Sequence, residues 1–140
     1  MTILKAPIYL SILLGLFAGC SSAPESTDVG LSSRPPKELV KSAVQESDEF
    51  KFCLSEEAGP ESLKEVADRL LKVVEAMVDS VNASELADSK KAQLSQSIEA
   101  LKTSCGDLAA SAEGQATSSE LSKANSKIRS ELISVSKMLR

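Results

Sequence analysis

The sequence predicts an all-α fold: an antiparallel four-helix bundle with one disulfide, set behind an export signal and a flexible tether. Three observations lead there. From residue 37 onward the apolar residues recur at steps of three and four, the spacing of one helix face. Breaks or start signals at 58–60, 82–85 and 114–120 divide that pattern into four. Two of the three cysteines, Cys53 and Cys105, fall in this region, an even number in a small chain.

Residues 1–19 are expected to be cleaved. Lys5 is the charge of a short n-region, and an almost unbroken apolar run follows from Ala6 to Ala18. That run is shorter than the ~20 residues a bilayer-spanning helix needs, and it sits where a secretory h-region belongs. Leu16-Phe17-Ala18-Gly19-Cys20 then resembles the lipobox of bacterial lipoproteins, with Phe17 where Leu is usual. The resemblance implies diacylation of the Cys20 thiol, cleavage before it and acylation of the new amine. The covalent lipid on Cys20 would be the only non-protein group, with no other cofactor. Each buried CH₂ contributes ~0.8 kcal/mol, so three acyl chains would hold the chain to a membrane. Asp after the cysteine marks inner-membrane retention in such proteins. Ser21 therefore points to the periplasmic face of the outer membrane.

Residues 20–36 read as the acylated cysteine and its tether. Small and polar residues with three prolines bury too little surface to fold. A flexible segment of this length reaches roughly 20–25 Å.

The bundle is expected over residues 37–140. Pro35-Pro36 suits a first helical turn. Leu39, Val40, Ala43, Val44, Ser47, Phe50 and Leu54 then share one face, and Ala58-Gly59-Pro60 ends the helix. The second helix, about Pro60 to Val81, is the most apolar. Its apolar arc of about 160° is wide enough to touch two neighbours. Asn82-Ala83-Ser84-Glu85 has the spacing of a capping box and is read as the start of the third helix. Leu94, Ile98, Leu101, Cys105, Leu108 and Ala112 form its seam, and Gly114 closes it. Thr117-Ser118-Ser119-Glu120 is a second capping box. It opens a fourth helix with Leu121, Ala124, Ile128, Leu132, Val135 and Leu139 on one face.

Cys53 and Cys105 read as an intramolecular disulfide in an oxidising compartment; two free thiols or an intermolecular bridge are the alternatives. A single rod from Pro60 to Cys105 would be ~70 Å long and would keep the two apart. A bridge needs a Cα separation of ~5.5 Å, and a reversal near Asn82 brings Cys105 level with the start of the second helix, beside the end of the first. Closing that loop would stabilise by ~4 kcal/mol.

Composition excludes several functions. The net charge of −4 becomes −5 once Lys5 leaves with the signal, so nothing draws the chain to nucleic acid. There is no His and no Trp, and Phe50 and Phe52 are the aromatic residues outside the signal. Stacking platforms and haem sites draw on those types. Without His, a Gly-x-Ser-x-Gly elbow or a phosphate loop, the chain reads as no enzyme, with no small-molecule substrate and no catalytic residue. No Cys-x-x-Cys pair or calcium-loop spacing suggests a metal.

Two apolar residues fall outside their helix faces, Phe52 by about 80° and Ile133 by a similar angle. They are the candidates for a partner site. The layout is similar to that of type II secretion pilotins, with an acylated Cys20, a first helix ending at Cys53, a Pro60-opened second helix, and Cys105 after a hairpin. That resemblance spans roughly residues 37–110, and a further helix follows it here. It implies a non-catalytic adaptor or assembly factor that grips another envelope protein. The alternative is a structural or surface lipoprotein with no dedicated client. The helical seams are also similar to the coiled-coil lipoprotein that tethers outer membrane to cell wall. Covalent wall attachment there needs a terminal Lys, where this chain has Arg140.

Overall fold

The computed structural model describes residues 30–140. The export signal expected over residues 1–19, Cys20 and the first part of the tether lie outside the described residues. Ser32–Arg140 form one compact unit. Among the described residues there are four α-helices and no strand: α1 (Pro36–Ser55), α2 (Pro60–Ala83), α3 (Asp88–Glu113) and α4 (Ser118–Met138). No helix among them is long and apolar enough to cross a membrane. A 3₁₀ turn at Leu31–Ser33 precedes α1. The Ser80 hydroxyl donates to the Arg34 carbonyl at 2.5 Å. Ordered backbone therefore begins earlier than the tether boundary expected at residue 36.

The helices are joined by the short connections 56–59, 84–87 and 114–117, which favour antiparallel neighbours. α1 packs on α2, α2 on α3, α3 on α4, and α4 returns to α1. The four thus form a closed ring, with α1 and α3 on opposite corners. The core runs along the centre, with Phe50, Leu70, Met77, Ile98, Leu101 and Leu132 fully buried. Ala43, Ala67, Ala76, Ala109 and Ala112 are buried between them and let the backbones approach.

Each helix end has a local cause. Pro36 and Pro60 open α1 and α2, where a missing N–H costs nothing. α1 ends with Ala58 N–H donating to the Cys53 carbonyl at 2.9 Å and Glu57 N–H to that of Leu54 at 3.2 Å. That double bond is a Schellman closure with Glu57 at φ 55°, a position that usually favours Gly. Thr117 opens α4 through the expected capping box: the Glu120 N–H donates to the Thr117 hydroxyl at 3.2 Å, and the Thr117 N–H to the Glu120 carboxylate at 2.8 Å.

The start expected at Asn82 is corrected. α2 runs on through Ala83, held by the fully buried Val81, and α3 begins at Asp88 behind Ala87. Asn82 caps nothing; its carbonyl accepts from the Lys91 ammonium at 3.1 Å. Ser84 turns back instead, its hydroxyl donating to the Val81 carbonyl at 2.5 Å. These two bonds satisfy carbonyls that the end of α2 leaves open.

α1 and α4 are joined by a buried polar pair. The Ser47 hydroxyl donates to Asn125 Oδ1 at 2.9 Å, and Asn125 Nδ2 donates to the Ser47 carbonyl at 3.0 Å. Both residues are buried. Sliding α4 by one turn would leave both groups dry and unpaired, at ~1–3 kcal/mol each. Asn125→Ala should therefore destabilise the chain by about 1–3 kcal/mol in a urea titration. Adding Ser47→Ala should cost less than the sum of the two single changes. Additive losses would show that the pair is not coupled.

Candidate functional site

The two cysteines are not joined; Cys53 and Cys105 are free thiols. Two features of the fold overturn the expected disulfide. α1 and α3 stand on opposite corners, farther apart than neighbours at about 8–10 Å. α3 also starts later than the sequence suggested. From Asp88 it climbs 17 residues to Cys105, against the 24 residues of α2, leaving Cys105 about 10 Å short of the level of Pro60.

Cys105 is fully buried in the core and feels the charge of Glu131 on α4. Burial pushes its thiol up to about 12, and the nearby Glu131 carboxylate adds to the shift. Glu131 accepts from the Ser104 hydroxyl at 3.3 Å and lies 3.8 Å from the Lys127 ammonium. A thiol held protonated in this way is the opposite of an activated nucleophile. No group of three or more potential metal ligands occurs among the described residues.

Phe52 is 58% exposed and Ile133 48% exposed, and they are the large apolar residues that the described surface leaves open. Helix geometry places them on one face of the bundle. On α1, Lys41, Gln45, Asp48 and Phe52 step by four, three and four and so form one stripe. On α4, Arg129, Ile133 and Ser136 step by four and three, and Arg140, just past the helix end, continues the spacing. The stripes are brought together by an ion pair between the Arg129 guanidinium and the Asp48 carboxylate.

Between them lies an open groove of about 420 Å³. Val40, Val44, Leu132 and Ile133 supply its apolar surface. Lys41, Lys137 and Arg140 also line it, and no Asp or Glu does. Among the described residues none of these three cations forms an ion pair. Phe52 lies on the same stripe but outside the groove, beyond the Asp48–Arg129 pair. It stands about 17 Å along α1 from Lys41 at 1.5 Å per residue. The structure thus brings Ile133 into the groove and aligns Phe52 with it, while Cys53 and Cys105 take no part in it.

The three cations went unnoticed in the sequence. The signal was present in the four-three-four stepping of Lys41 and Gln45 toward Phe52, and of Ile133 toward Arg140. It becomes readable only when α1 and α4 are known to be neighbours.

Alkylation of the folded chain with iodoacetamide should label half-buried Cys53 and spare Cys105, which should react only after denaturation. Equal labelling rates, or a non-reducing peptide map joining the two cysteines, would contradict this arrangement.

No protein-family model, no curated protein and no solved structure matches the chain, so the groove must be interpreted from its own residues.

Proposed function

We propose that the chain is a lipid-anchored, non-catalytic adaptor or assembly factor that binds another envelope protein through the α1–α4 face of its bundle. Acylation at Cys20 would hold it at the periplasmic face of the outer membrane, in the manner of a pilotin. The observation that carries the binding reading is the alignment of Phe52 and Ile133 on one face, beside an open apolar groove. Exposed large apolar residues grouped beside a groove mark interaction sites more often than scattered ones do. A spacer without a client has no use for such a face. The anchor rests on the lipobox resemblance around Cys20.

Two experiments test the two halves separately. Radiolabelled palmitate should enter the wild-type chain and not Cys20→Ala; an unlabelled wild-type chain would refute the anchor. A photo-cross-linking residue at position 133 should give one dominant protein adduct in cells. The same residue in place of exposed Glu99 on α3 should give none. The same diffuse adducts from both positions would refute the adaptor.

A further inference from the structure

We infer that the α1–α4 groove receives an acidic amphipathic helix of a partner protein, about three turns long, with carboxylates over Lys41, Lys137 and Arg140. The inference rests on the protein-binding reading above and specifies the partner's chemistry.

Shape is the first argument. Two antiparallel helices in contact leave a trough between their outer stripes, and a third helix can lie in it at about 8–10 Å from each axis. The stripes that flank this trough repeat at four and three residues on both sides, the period of an incoming helix face. The groove is open along its surface, with Ile133 half out of it, so a helix can enter sideways.

Charge is the second. In a chain of net charge −4 the side chains lining the groove include three cations and no Asp or Glu. Other described cations are mixed: Arg69, Lys64, Lys127 and Arg129 have an acidic partner on the protein, whereas exposed Lys51 and Lys123 form no ion pair, so the groove is marked by three cations lying together with no Asp or Glu among its lining residues. Lys41 sits near the start of α1, Lys137 in the last turn of α4 and Arg140 just past it, so the three cluster at one end of the face. Toward Phe52 the Asp48–Arg129 pair is self-compensated. A complementary helix would carry Asp or Glu at one end, an aliphatic residue over Ile133 and Val44, and an apolar residue near Phe52 at the other end. Lys41 and Phe52 are about 17 Å apart along the axis, which requires three turns.

An anionic membrane surface fits less well. It would meet the negative charge of the whole chain, and it offers no element to occupy a trough with helical period.

The test is a display library of amphipathic helices of about 14 residues. The apolar seam is fixed as Leu, and the flanking positions vary among Glu, Lys, Gln and Ser. The library is panned on the full 140-residue chain. Binders should favour Glu over Lys by roughly tenfold, equivalent to ~1.4 kcal/mol. Capture should weaken with added salt and be lost on Ile133→Asp, a change at an exposed position that leaves the core intact. The double variant Lys41→Glu, Lys137→Glu should turn the preference toward Lys. Enrichment without charge preference would overturn the acidic partner and leave the groove standing as a binding face. Equal capture by wild type and Ile133→Asp would overturn the inference, and the cross-link from position 133 would still decide the adaptor reading independently. Tighter binding to phosphatidylglycerol vesicles than to any selected peptide would also overturn it.

Discussion

The closure of α4 against α1 is the contact on which the rest of the arrangement depends. Successive helices joined by short connections can pack on one another without further instruction, but the first and last helices have no connection to set their register. Here that register is set in the interior by Ser47 and Asn125, which exchange two hydrogen bonds while both are buried. Apolar packing alone tolerates a slide more readily than a buried amide does, because a buried amide without a partner pays its full desolvation cost. Once Ser47 faces Asn125, Asp48, the next residue on α1, meets Arg129, one turn along α4. Val40 and Val44 then lie across from Leu132 and Ile133 around the groove. The groove is thus tied to an interior polar contact.

Much of the fold was legible along the chain, because the four stripes are regular and their starts carry recognisable chemistry. Pro36, Pro60 and the Thr117–Glu120 box each act as their residue types suggest. Asn82 misled because a capping box is a local pattern; the helix continues through Ala83, and its last carbonyls are taken by the Ser84 hydroxyl and the Lys91 ammonium. The disulfide expectation failed by the same route. It assumed the hairpin at Asn82, and moving the start of α3 to Asp88 lowered Cys105 while the ring order put α1 and α3 on opposite corners. Ser47 was legible as a face residue but not as a donor, and Asn125 was not legible at all. Nothing in the sequence says that two residues 78 apart share a hydrogen bond. The groove was half legible: Phe52 and Ile133 stand out from their helix faces, whereas the cations gain meaning only from the pairing of α1 with α4.

The same logic separates the roles of the two cysteines from that of the surface. Cys105 behaves as a small core residue whose thiol is kept protonated by burial and by Glu131, and it fills the seam of α3 beside Leu101 and Leu108. Stability therefore comes from the packed core and the closed ring rather than from a covalent staple. On the α1–α4 face, the apolar surface of the groove lies beside three cations that form no ion pair among the described residues.

The most direct test of this account is the environment of the Asn125 side-chain amide in NMR spectra of the chain. Its two protons should show nuclear Overhauser contacts to Ser47 and exchange slowly with water. Contacts to a residue one turn away on α1, or rapid exchange with water, would contradict the register on which the ring and its groove are built.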